Sequence, residues 1–222
     1  PDGTALVAQN STFTITFNEA VTKVGGTVLT NANAAAMFTL SSVTPGASIP
    51  AFTTVVNGNT ITLTFAANLT SLANYTLQLN ANQVQDKATT PNALLAAVPV
   101  SFQVEDKTAP AFTVFADAGV YDNVKTDLTF TLNEPIVGPN TNSMVYVYAV
   151  PFGSTAPTVD QVIANGQSVV YANGSGAKTL TYTGLSNYTN YSFYAAAVDG
   201  YNNKIAAVAG PVNIWTMDKV KP

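Results

Sequence analysis

The chain has 222 residues, with Lys+Arg 8, Asp+Glu 12, no His, no Cys and a formal net charge of −4; there is no Arg, so every cation is a Lys. The absence of His and Cys excludes Ser–His–Asp and Cys–His catalysis, imidazole metal sites, zinc ribbons, iron–sulfur clusters and disulfides. The net negative charge and the lack of Arg exclude a phosphate-tracking basic groove, so nucleic acid is not an expected partner.

Hydrophobic residues make up 47% of the chain and charged residues only 9%, so Thr and Asn must carry much of the polar character. No apolar run approaches the roughly 18 residues needed to cross a bilayer, and the opening Pro1-Asp2-Gly3-Thr4 lacks the basic and apolar regions of a signal peptide. The expected protein is not membrane-spanning. The turn-like start and the closing Lys219-Val220-Lys221-Pro222 read as cut ends of something longer.

Along the chain the dominant period is two. Thr12-Phe13-Thr14-Ile15-Thr16-Phe17 alternates β-branched Thr with apolar residues, as a half-buried strand does. The pattern recurs in Thr60–Phe65, Asn74–Leu79 and Val98–Phe102, then in Leu128–Leu132, Met144–Tyr148, Thr179–Tyr182 and Tyr191–Tyr194. Turn signals at Asn57-Gly58-Asn59, Asn173-Gly174-Ser175-Gly176 and Asp199-Gly200 separate these runs. Thr30–Ala36 has no period and reads as loop or a short helical turn. One short helix is expected at Val159–Ala164, with Thr158 as N-cap and Gly166 beyond. Pro99, early in one last strand, and Pro211, just before the other, protect strand edges. Short strands with polar turns indicate β-sandwiches.

The pattern then repeats. Ile15-Thr16-Phe17-Asn18-Glu19-Ala20-Val21 matches Phe130-Thr131-Leu132-Asn133-Glu134-Pro135-Ile136, and Leu69 before Tyr75 matches Leu185 before Tyr191. Asp106-Lys107-Thr108-Ala109-Pro110 matches Asp218-Lys219-Val220-Lys221-Pro222. Two domains are expected, 1–105 and 106–217, with 218–222 starting a linker to a further domain. The Leu-x5-Tyr pattern resembles the tyrosine corner of immunoglobulin-type sandwiches, which assigns Leu69, Tyr75, Leu185 and Tyr191 a structural role.

These residues carry a family resemblance. The first unit resembles a bacterial Ig-like domain of S-layer and other large surface proteins, through Pro1-Asp2-Gly3, Ile15–Val21, Thr60–Leu63, Leu72–Leu77, Val84-Gln85-Asp86 and Ser101–Val104. The second is similar to a fibronectin type III-like domain, through Thr183-Gly184-Leu185, Tyr191–Asp199 and Asn202-Asn203. The resemblance implies an all-β chain of two tandem immunoglobulin-like/fibronectin type III-like β-sandwiches joined by a short linker. It also implies a non-catalytic spacer, adhesive or lattice-forming segment at a bacterial cell surface or in a secreted protein. The family's Asp-x-x-Gly-Asn after the sixth strand is altered here: Lys87-Ala88-Thr89-Thr90 follow Asp86, and Gly200-Tyr201-Asn202-Asn203 follow Asp199.

In such a sandwich the second and sixth strands end at the pole where the chain enters. Glu134 and Asp199 would there meet the linker residues Glu105 and Asp106, the convergence of carboxylates that Ca²⁺ requires. Asp2, Glu19 and Asp86 would be the first unit's equivalent set. The competing reading makes all of them solvated turn residues, and no other cofactor is expected. No two of the twelve acids are placed in a cleft for glycoside hydrolysis, so an enzyme is not expected.

Of ten Tyr, only Tyr75 lies in the first unit. Tyr146 and Tyr148 share one strand face, with Tyr171, Tyr182 and Tyr194 as candidate neighbours, and form either an aromatic platform for polysaccharide or another surface protein, or ordinary sandwich packing. Trp215, in the last strand, reads as core or as a plug against the next domain. The remaining expected partners are the neighbouring domains of the same chain.

Overall fold

A computed structural model describes residues 6–133, 143–171 and 176–219. The chain divides into two compact units, Pro1–Asp106 and Lys107–Pro222.

In the first unit the strands are β1 (Leu6–Val7), β2 (Thr12–Thr16), β3 (Val21–Lys23), β4 (Phe38–Ser42), β5 (Phe52–Asn57), β6 (Thr60–Phe65), β7 (Asn74–Leu79), β8 (Val84–Asp86) and β9 (Val98–Val104). Sheet order is β2-β6-β5 against β1-β9-β7-β4, with β3 and β8 forming a separate antiparallel pair. Alternation decides which side of each strand is buried. Phe13, Ile61 and Leu63 face Leu77, Leu79 and Phe102 across the core, while Thr14 and Thr62 pair outside through their hydroxyls at 3.1 Å. The short helix α1 (Asn31–Ala34) starts on a capping box, in which Thr30 and Asn33 each bond the other's backbone N–H. The first strand runs parallel beside the last, Leu6 opposite Gln103 and Val7 opposite Val104.

In the second unit β10 (Phe112–Tyr121), β11 (Lys125–Leu132) and β14 (Lys178–Thr183) form one sheet. β13 (Gln167–Tyr171), β12 (Ser143–Pro151), β15 (Asn190–Val198) and β16 (Ala209–Trp215) form the other, in that order. The two enclose Leu128, Phe130, Val145, Val147, Phe193, Ala195 and Ile214. This is an immunoglobulin-like sandwich, as is the first unit. The helix α2 (Val159–Asn165) begins on a Thr158/Gln161 capping box and lies between β12 and β13 in sequence. A side chain at Gly166 would meet Val162 O at 2.6 Å and Val147 O at 2.7 Å, so only Gly lets the helix end sit this close to β12. Pro211 lies inside β16 rather than before it, close to a break in the register between β15 and β16, where a bulge tolerates the missing N–H.

Candidate functional site

The most complete polar construction recurs in both units, around the corner tyrosines. The Tyr75 hydroxyl donates to Ser48 O at 2.6 Å and accepts from Thr70 N–H at 3.1 Å. The Tyr191 hydroxyl accepts from Ser186 N–H at 3.0 Å. The Thr70 and Ser186 bonds each close five residues back, and Leu69 and Leu185, one position earlier still, are buried. Three residues before each tyrosine the chain turns through positive φ, 58° at Leu72 and 47° at Tyr188. Two residues before, the carbonyl takes the last strand's N–H: Val104 N to Ala73 O and Thr216 N to Thr189 O, both 3.0 Å.

The corner also holds the chain's exit. Ser71 Oγ donates to Asp106 Oδ1 at 2.8 Å, and Asn187 Nδ2 to Asp218 Oδ1 at 3.1 Å. The repeated Asp-Lys-x-x-Pro thus begins, in each unit, with an aspartate tied to that unit's own corner loop.

The carboxylates after the sixth strands have a third shared task. Asp199, 2% exposed, accepts from Tyr201 N, Asn203 N and Asn203 Nδ2, each at 2.8 Å. Asp86 accepts from Ala88 N at 3.1 Å, Asn92 N at 3.0 Å and Asn92 Nδ2 at 2.8 Å. The Asn92 side-chain amide, then its backbone N–H, holds the Asp86 carboxyl below its ordinary value. In each loop one Asn side chain and two backbone N–H groups clasp one Asp.

Of the other expected metal ligands, Asp2 and Glu134 lie outside the described residues. Glu19 is exposed and borders the same shallow depression as Asp86. Glu105 and Asp106 belong to the first unit and Asp199 to the second. Among the described residues no group of three or more acidic side chains is placed to hold a metal ion.

Tyr146 and Tyr148 are half-buried and pack on a small cluster of Val150, Val162, Tyr194 and Ala196, to which α2 contributes Val162. Tyr194 is their neighbour, opposite Tyr148 in the β12–β15 register. Tyr171 and Tyr182 are not: they lie in the inter-sheet core, their hydroxyls accepting Leu132 N–H and Ala149 N–H. Burial pushes the Tyr182 hydroxyl pKa up.

The exposed rings lie elsewhere. Trp215, expected in the core or as a plug against the next domain, is 55% exposed and so not core; Tyr188 is 63% exposed and Tyr121 43%. The Trp215 and Tyr188 rings are 5.5 Å apart, inclined at 49°. Asp117, Tyr121, Asn213, Ile214, Trp215 and Met217 line an open cleft of about 340 Å³. In the first unit a larger apolar groove of about 390 Å³ lies among Ile15, Phe17, Leu77, Leu79 and Val98.

Residues 1–104 match the bacterial Ig-like domain family. The match spans the first unit, which is therefore a bacterial Ig-like unit, and stops short of the second. No curated protein matches the chain. Similar solved structures include the chicken CNTN1 FN1–FN3 domains, at 15% identity and TM-score 0.44, covering 98% of this chain and 66% of that one. A run of titin domains matches at 10% identity and TM-score 0.41, covering 82% and 54%. The N-terminal part of the bacterial S-layer protein SbsC matches at 14% identity and TM-score 0.31, covering 96% and 42%. The chain thus spans between about two fifths and two thirds of those chains, and at these scores nothing about function follows from them.

Proposed function

We propose that this chain is a non-catalytic structural spacer segment of a large bacterial cell-surface or secreted protein, holding other modules apart under load. The observation that carries this reading is the parallel pairing of β1 with β9, extended by Glu105 N–H to Val7 O at 2.9 Å. Tension on the two ends of the bacterial Ig-like unit pulls parallel neighbours in opposite directions. Their hydrogen bonds are then loaded together in shear rather than peeled one at a time.

The second unit supports the same reading. There the chain beyond β16 is pinned to the end of β10 by Met217 N–H to Asp122 O at 3.2 Å and by Lys219 Nζ to Asp122 at 2.7 Å. The corner ties at Asp106 and Asp218 fix the direction in which the chain leaves each unit.

A Ca²⁺-stiffened spacer is the finer form of the same reading.

Mechanical unfolding of the 222-residue chain tests the proposal. Two separate force peaks are expected, the unit Pro1–Asp106 releasing at most roughly 350–380 Å of chain. Extension without resolved peaks would overturn it. Repeating the pulls in Ca²⁺ and in EDTA separates the stiffened variant, which predicts higher peaks in Ca²⁺, from the plain spacer.

A further inference from the structure

The cleft beside Trp215 serves no purpose that a spacer needs. Tyr188 and Leu72 occupy the same place, three residues before a corner tyrosine and at positive φ. Trp215 and Gln103 also correspond, each opposite the residue just before the corner tyrosine, Asn190 and Asn74. In the bacterial Ig-like unit Gln103 Nε2 simply donates to Leu72 O at 3.2 Å. The same corner is therefore built without aromatic residues. In the second unit two large rings stand at these positions with more than half of each exposed, where they add little to a core.

The polar groups around the rings are set in place. β10 loses register with β11 between Asp117 and Tyr121, and a bulge of this kind re-aims the side chains that follow it. Gly119 makes the turn at φ 76° and donates its N–H to Asp117 Oδ1 at 2.8 Å. Asp117 Oδ2 accepts from the Tyr121 hydroxyl, and the carboxylate raises that hydroxyl's pKa, so Tyr121 stays protonated. Across the cleft, Asn213 Oδ1 accepts from Ser192 Oγ at 2.8 Å. That bond fixes the carboxamide and leaves Nδ2 as a donor. The rim thus offers ring faces, a carboxylate with spare lone pairs and an amide donor.

We propose that this cleft binds a neutral oligosaccharide. Pyranose rings present C–H faces whose partial positive charge suits an aromatic π-face. Their equatorial hydroxyls both donate, as Asp117 requires, and accept, as Asn213 Nδ2 requires. A volume of about 340 Å³ lies at the small end of ligand clefts, about 300–1,000 Å³, which suits one or two rings of a longer chain. Charge selects against acidic glycans: the cleft carries the Asp117 carboxylate, and the nearby Lys219 is already paired with Asp122. This site goes beyond the spacer reading, which stands whether or not a sugar binds.

Trp215 is the only tryptophan in the chain, so its emission reports on the cleft directly. The 222-residue chain is titrated with β-1,4-linked gluco-, xylo-, manno- and N-acetylglucosamine oligosaccharides, and with an oligogalacturonate as the acidic contrast. At least one neutral series should change Trp215 emission saturably, and the oligogalacturonate should not. By calorimetry, Trp215→Ala should weaken binding about tenfold or more with unchanged melting temperature, and Asn213→Asp, which keeps the Oδ1 acceptor for Ser192 Oγ and loses the Nδ2 donor, should also weaken it. Tyr146→Phe, on the α2 face, should bind normally. Absence of a saturable response to every neutral series would overturn the proposal, as would undiminished affinity in Trp215→Ala. Self-association that Trp215→Ala abolishes, without any sugar response, would make the cleft a protein contact and equally overturn it.

Discussion

Replacing Tyr75 and Tyr191 by Phe removes one oxygen atom from each corner and leaves each ring in place. The two hydroxyls are not equally engaged. Tyr75 is 1% exposed and its hydroxyl makes two hydrogen bonds, to Ser48 O and from Thr70 N–H. Tyr191 is half-buried and its hydroxyl makes one, from Ser186 N–H, on an exposed loop. A typical hydrogen bond contributes about 0.5–1.5 kcal/mol, and a buried group left unpaired costs about 1–3 kcal/mol. Water can reach Ser48, which is exposed, more easily than Thr70, which is half-buried. The expected costs are therefore about 2–3 kcal/mol for Tyr75→Phe and about 1 kcal/mol for Tyr191→Phe.

For units near 100 residues each kcal/mol moves the melting temperature by about 4–8 °C. Calorimetry of the full chain should show one transition falling by roughly 8–24 °C in Tyr75→Phe. The other transition should fall by roughly 4–8 °C in Tyr191→Phe. Equal shifts, or a larger one for Tyr191→Phe, would refute the assignment of hydroxyl roles. A Tyr75→Phe variant that melts like the parent would mean that the corner packs as a hydrophobic wedge and its hydrogen bonds contribute nothing net.

The loop clasps and the acid limb give further expectations. Asp199→Ala removes an acceptor of three bonds from a buried loop and should cost about 3 kcal/mol in urea unfolding, whereas Asp86→Ala, on a more open loop, should cost distinctly less; the reverse order would refute the clasp reading. Asp122 is held below its ordinary pKa first by the Lys219 ammonium group and then by Asn123 N–H. A carboxyl depressed on folding stabilises above its unfolded pKa of about 3.9, and that stability is lost as pH falls through the folded value. Asp122→Asn should therefore lower the second unit's melting temperature at neutral pH and flatten its fall below about pH 4; an unchanged acid profile would show the Asp122–Lys219 pair to be idle.

What could be read from the sequence follows the physics of each element. Strands whose two faces differ sharply, such as Thr12–Thr16 and Thr60–Phe65, announce themselves because Thr and apolar residues alternate with the pleat. α2 was legible because Thr158 and Gly166 bracket it. β10 was not, since its burial does not alternate and the bulge at Asp117–Tyr121 breaks its period. The expected convergence of carboxylates rested on strand-end positions alone. What each one faces depends on amides delivered by the loop, such as Asn92, six residues beyond Asp86, and spacing alone does not show that. Trp215 was expected in the core or as a plug against the next domain; Ile214 takes the inward position on β16 and turns its neighbour outward. That inversion is visible once the pairing of Tyr191 with Ile214 is known.

The two units make it possible to separate support from function within one chain. Where they agree, at the corner tyrosine, the positive-φ turn, the Asp–Asn clasp and the tethered exit aspartate, the shared features tie the corner and its loops together, so their loss lowers stability. Where they differ, the second unit has Trp215 and Tyr188 at positions that the first fills with Gln103 and Leu72, and the first unit's corner closes without rings there. Rings that are exposed and unnecessary for closure cannot owe their presence to the core. Variants should therefore fall into two classes: Tyr75, Tyr191 and Asp199 changes lower melting temperature first, while Trp215→Ala leaves it unmoved and alters only what the cleft holds.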